Sequence, residues 1–210
     1  MQIFCDMDEV LVDFTRGVRE LIEYYLSLAT PNPKTHKDLL IQKALDELIS
    51  VHKATRITNK MFDQTKTSKI RDLMLYAIAN SKTFWENLPW TSQGPLLWNA
   101  IKQYNPIILS VPMNHYRSYI GKTKWVREQL GQNIRLILTG EASSHSPLTV
   151  PQKFTWATGP DCILIDDWPV HTRAWEKAGG SAILHAGDMQ ATITALHYLI
   201  NTLEKNEKFS

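Results

Sequence analysis

By its eighth residue the chain has placed two aspartates, Asp6 and Asp8, one residue apart at the end of a short apolar run, in MQIFCDMDEVLVDF. A second acidic pair, Asp166 and Asp167, follows another apolar run in CILIDDW. Ser110 closes the run in IILSVP, and Lys153 stands in a long loop ahead of the second acidic pair. Carboxylates that converge on one point repel each other unless a cation sits among them, and hard oxygen ligands of this kind suit Mg²⁺. Beside such an ion Asp6 would stay ionised as a nucleophile toward phosphorus, while Ser110 and a lysine would hold phosphoryl oxygens and offset their charge. Asp8 would donate a proton to the leaving oxygen and later take one from water. The chemistry expected of these residues is therefore hydrolysis of a phosphate ester.

For this to work, the elements must bring the residues to one place. Apolar runs of strand length recur at 2–6, 106–111, 134–138, 161–165 and 181–184. Helical periodicity covers 94–104, 116–130, 170–178 and 189–203, the third closed by Gly179 and Gly180. The alternation predicts an α/β fold, a doubly wound parallel sheet with helices on both faces. In such a sheet the ligand crevice lies outside the carboxyl ends of the strands, where all the residues above fall. The interval after the first strand differs. Residues 16–28, 37–52 and 66–80 have apolar residues at helical spacing, and the loop TPNPKT separates the first two stretches. A bare crossover needs no such set of helices, so 15–83 is expected to be a helical cap, with 1–14 and 84–210 forming the core.

Composition sets the outer bounds. With 210 residues and 43% hydrophobic content, the chain can bury a sizeable core. A net charge of +2 without a Lys/Arg run argues against wholesale duplex binding through phosphate neutralisation. Cys5 and Cys162 sit inside apolar runs, as buried reduced thiols do. The first apolar run is too short for a signal peptide, and no stretch approaches membrane-spanning length, so a cytoplasmic protein with no membrane partner is expected. Taken singly, each candidate residue has a plainer reading: a DxD can be a turn, a strand-end DD an N-cap, and a lysine a solvated surface charge. Their ordered recurrence after successive strands is what favours catalysis.

DMDEV, ILS, a loop lysine and LIDD, in that order around a helical insert, resemble the four motifs of the haloacid dehalogenase superfamily of phosphohydrolases. The resemblance implies an aspartyl-phosphate formed on Asp6, with Asp8 as general acid and base and Ser110 and Lys153 as phosphate ligands. Asp166 would ligate Mg²⁺, supported by Asp167, with Asp6 and the backbone carbonyl of Asp8 completing the metal set. More closely, DMDEVLVDF, SKTFWENLPWTSQGP, ILSVP, KTKWVREQLG and LIDDW resemble the 5′(3′)-deoxyribonucleotidase family. This implies a nucleoside monophosphate as substrate, Phe14 against its base, and Lys122 assisting at the phosphate. A homodimer is compatible with the resemblance. The alternative partner is a nucleic-acid 3′-phosphate end, to which Lys53, Arg56, Lys60, Lys66, Lys69 and Arg71 would offer a basic track.

The chain departs from the family at Glu9, which stands where glycine is usual. Lys153 also lies farther ahead of the DD pair than the family spacing, which leaves Lys122 or Lys124 to share its role. A signalling receiver domain gathers similar residues, but with its adjacent acids first and its phospho-acceptor later. The order here is the reverse.

Overall fold

A computed structural model describes residues 1–28, 77–140 and 152–207, so the helix expected over 37–52 and most of the one over 66–80 lie outside the described residues. The strands are β1 (Gln2–Cys5), β2 (Ile107–Ser110), β3 (Leu136–Leu138), β4 (Cys162–Asp166) and β5 (Ser181–Leu184). They form a five-stranded sheet in the order β3-β2-β1-β4-β5, with every pairing parallel. From β1 the chain steps outward to β2 and β3, then returns to the other side of β1 for β4 and β5. That reversal is the doubly wound arrangement, and it opens a crevice at the carboxyl ends of the central strands.

The helices are α1 (Phe14–Leu28), α2 (Gly94–Ile101), α3 (Tyr116–Gln129), α4 (Pro169–Lys177) and α5 (Met189–Glu207). Proline opens both α2 and α4, where a missing backbone donor costs nothing. His115 caps α3, its Nδ1 accepting from Arg117 N at 3.3 Å. The helix expected over 94–104 is shorter than its periodicity, because Lys102–Tyr104 tightens into a 3₁₀ turn and Asn105 leaves it at φ +50°. Residues 152–156, expected as loop, form another 3₁₀ turn.

The sheet is covered on both faces, which is why its strands read as continuous apolar runs. Phe4, Ile107, Leu109, Cys162 and Leu164 pack with Ala157 and Trp175 on one side. By alternation Ile3, Cys5, Ile108, Ile163 and Ile165 face the other, and all are buried. Trp175 meets Phe4 edge-on at 5.0 Å and donates its indole N–H to Cys162 O at 3.0 Å. Cys5 and Cys162 are buried free thiols.

By internal contacts the chain divides into one unit of Met1–Asp13 with Trp85–Ser210 and another of Phe14–Phe84. The first holds the sheet. In the second, Phe14 opens α1 and meets Phe84 edge-on at 5.7 Å. Among the described residues no helix is long and apolar enough to cross a membrane.

Candidate active site

The register of the central strands positions the acids. Cys5 of β1 pairs with Ile165 of β4, so the next residues, Asp6 and Asp166, stand side by side at the carboxyl end of the sheet. Asp6 N donates to Ile165 O at 2.9 Å, extending the ladder by one bond. On the other side Cys5 pairs with Ile108, and Ser110 ends β2 two residues farther on. Beyond Asp6 the chain turns tightly. Leu11 N and Val12 N both donate to Met7 O at 2.9 Å, and Glu9 N donates to Val12 O at 2.7 Å. Glu9 takes φ +56° in this turn, a left-handed conformation that favours glycine.

Two buried lysines tie the acids together. Lys153, brought in by the 3₁₀ turn, places Nζ 2.8 Å from Asp6 Oδ1 and 2.7 Å from Asp166 Oδ2. The sequence spacing that set it apart from the family pattern does not keep it from the acids. Lys122, on α3, donates to Asp8 Oδ2 and, at 2.9 Å, to Ser110 Oγ. Its Nζ also sits 5.1 Å from the centre of the buried Trp85 ring, and both lysines are at most 1% exposed. Lys124 points elsewhere, pairing with Glu86 at 2.9 Å. Phe84, Trp85 and Trp125 are buried, and Trp90 packs on Trp125 at 4.8 Å, so these aromatics serve as packing.

The electrostatics of the two central acids diverge. Burial pushes the Asp6 carboxyl up; Lys153 opposes this and the Asp166 and Asp8 charges add to it, leaving it at about 6. Burial would also raise Asp166, but Lys153 and the hydrogen bond from His171 bring it down to about 2. Lys153 loses stability as a cation through burial, yet Asp6 and Asp166 hold it above the ordinary lysine range. Such a buried cluster is costly unless its charges balance. Asp6, Asp8 and Asp166, if ionised, exceed Lys122 and Lys153 by one negative charge, before Asp167 is counted.

That surplus, the oxygen donors and the buried Asp8 Oδ1, which has no hydrogen-bond partner among the described residues, fit a hard divalent cation. Asp6, Asp166 and His171 form a cluster whose potential ligand atoms all lie within 4.8 Å of one another. The carboxylates of Asp8 and Asp167 are not part of that cluster. His171 was not singled out in the sequence. Its signal is positional: a helix opened by Pro169 just after a strand-end acid turns its third residue back over that acid.

No family model matches the chain, and no curated protein matches it. Solved structures do. A HAD-superfamily hydrolase from Ehrlichia chaffeensis superposes with a TM-score of 0.51 at 14% identity, over 95% of this chain and 97% of that one. A haloacid dehalogenase-like family hydrolase from Xanthomonas campestris superposes with a TM-score of 0.50 at 12% identity, over 98% and 94%. At such identities the likeness is one of architecture, and by architecture this chain has the α/β fold of the haloacid dehalogenase superfamily hydrolases.

Proposed function

We propose that this protein is a phosphoric monoester hydrolase that takes Mg²⁺ and cleaves nucleoside monophosphates through an aspartyl-phosphate on Asp6. The observation that carries the reading is Lys153 Nζ held between Asp6 and Asp166, which end adjacent parallel strands. A nucleophilic carboxylate in a buried site must be kept ionised by a nearby positive charge, and Lys153 supplies one.

In this mechanism an Asp6 carboxylate oxygen attacks phosphorus, the ester P–O bond breaks, and Asp8 protonates the leaving oxygen. Water, deprotonated by Asp8, then attacks the phosphorus and releases phosphate and Asp6. The Ser110 hydroxyl and the Lys122 ammonium, 2.9 Å apart, donate to phosphoryl oxygens through both steps. Lys122 also holds Asp8 in place before it acts. When bound, Mg²⁺ would be held by Asp6 and Asp166, with Asp167 and the carbonyl of Asp8 as the resemblance implies, and would supply Lewis-acid neutralisation of the phosphoryl charge.

The unit Phe14–Phe84 is assigned the role of a cap that selects the substrate, with Phe14 stacking on the base. The resemblance of DMDEVLVDF and ILSVP to the deoxyribonucleotidases supports this choice of substrate. The test is phosphate release from nucleoside monophosphates, sugar phosphates, an aryl phosphate and a 3′-phosphorylated oligonucleotide, with Mg²⁺ or excess chelator. Asp6→Asn is expected to lose at least about 10³-fold in kcat while staying folded, as loss of a covalent nucleophile does. Undiminished turnover by that variant would refute the mechanism. Phe14→Ala is expected to raise KM for nucleotides and spare the aryl phosphate. Equal losses on both, with a lowered Tm, would assign Phe14 to packing on Phe84 instead.

A further inference from the structure

His171 is 6% exposed and lies on the first turn of α4. Its Nδ1 is 3.1 Å from Asp166 Oδ1 and 3.0 Å from Oδ2, so one ring nitrogen addresses both oxygens of the carboxylate. The same carboxylate accepts from Trp168 N at 2.9 Å on Oδ1 and from Lys153 Nζ at 2.7 Å on Oδ2. An ionised carboxylate only accepts, so Nδ1 must carry the proton. The other nitrogen, Nε2, is buried without a hydrogen-bond partner among the described residues. An apolar side chain at this position would avoid that desolvation cost, so the imidazole's contribution lies at Nδ1. The Trp168 ring, edge-on to the imidazole at 4.5 Å and 75°, restricts the plane in which Nδ1 can point.

We propose that His171 is a positioning residue: its Nδ1–H fixes the Asp166 carboxylate in the orientation with which that acid meets the divalent cation. The inference rests on the metal-dependent reading above and assigns a role to a residue outside the four motifs. Trp168 N and Lys153 each hold one oxygen, and the imidazole adds a donor that addresses both. Together they resist rotation of the carboxylate about its own bond. Partners of this kind set how well a ligand is presented without touching the ion themselves.

The experiment compares His171→Leu with His171→Asn, whose amide N–H can still reach the carboxylate. Mn²⁺, used as a paramagnetic substitute for Mg²⁺, is titrated without substrate; kcat, KM and Tm in chelator are measured alongside. His171→Leu is expected to keep or raise Tm, to bind Mn²⁺ about 10–100-fold more weakly and to lose kcat in step at unchanged KM, with His171→Asn restoring most of both. In wild-type protein, ¹⁵N-histidine spectra are expected to show His171 protonated at Nδ1, with a resonance that shifts in Asp166→Asn. Wild-type Mn²⁺ affinity in a folded His171→Leu variant would overturn the proposal. So would a ring protonated at Nε2 alone. If His171→Leu fails to fold, the spectra and His171→Asn decide. A wild-type protein that releases phosphate from no ester would defeat the functional reading, while the Mn²⁺ and ¹⁵N measurements would still decide the role of His171.

Discussion

Glu9 carries a side chain through φ +56°, in the turn that separates Asp6 from the following apolar residues. A β-carbon in that region costs about 1–2 kcal/mol, and the extra freedom of an unfolded glycine returns about 0.4–1 kcal/mol of any relief. Comparing Glu9→Gly with Glu9→Ala removes the same carboxylate and isolates the backbone effect. The glycine variant is expected to be more stable than the alanine variant by up to about 1.5 kcal/mol in chemical denaturation. An alanine variant more stable than the glycine variant would show that the turn is unstrained. Asp6 gives a pH signature of its own. Its folded carboxyl is raised to about 6, above an unfolded value of about 3.9, so the native state binds more protons in that window. The stability this group contributes is fully present below about pH 4 and is lost as pH rises through about 6. In chelator, the stability difference between wild type and Asp6→Asn is expected to fall over that range by about 2–3 kcal/mol and then level off. Asp166 has the opposite sign: lowered to about 2, it adds stability above about pH 4 that disappears as pH drops toward 2.

At the level of elements, α3 is fitted to the segment that precedes α2. A β-carbon on Gly121 would lie 2.3 Å from Trp85 Cβ and 3.1 Å from Glu86 N, so no side chain fits without moving backbone. Gly121→Ala is expected to cost about 2–3 kcal/mol and to lower turnover, because the same displacement moves Lys122, whose Nζ lies over the Trp85 ring. A variant with full stability and full activity would refute this coupling. The five strands were legible in the sequence because a central parallel strand is apolar on both faces, and the acids were legible because they interrupt such runs. Ser110 was legible only as the end of its strand. The pairing of Lys153 with Asp6 and Asp166 was not: a lysine in a loop carries no periodicity, and only a short 3₁₀ turn fixes where its ammonium goes. Lys122 was singled out only through the resemblance: by periodicity alone it reads as an ordinary helical lysine, and its burial under the Trp85 ring has no signal in the pattern. Nothing in the apolar pattern marked His171, since its burial depends on a hydrogen bond rather than on hydrophobicity.

For the whole molecule, the order β3-β2-β1-β4-β5 gathers residues from opposite ends of a 210-residue chain at one edge of the sheet. Their mutual repulsion is then borne by the native state alone, because the unfolded chain keeps them far apart. A cation that binds only the assembled site must stabilise the fold by mass action. Mg²⁺ at about 100 times its Kd is expected to add about 2.7 kcal/mol, a Tm rise of roughly 5–10 °C for a chain of this size. The rise should be absent in Asp166→Asn. A wild-type Tm indifferent to Mg²⁺ and to chelator would argue against a metal at these acids. The register of β1 on β4 has one more consequence. The amide of Asp6 donates to Ile165 O, continuing the ladder between two interior strands. A hydrogen there reaches solvent only when those strands part, so it should exchange with deuterium among the slowest in the protein, at a rate set by global opening. The proposed nucleophile would then stay in place through local fluctuations, and heat should end activity and the structure of the sheet-bearing unit in a single event.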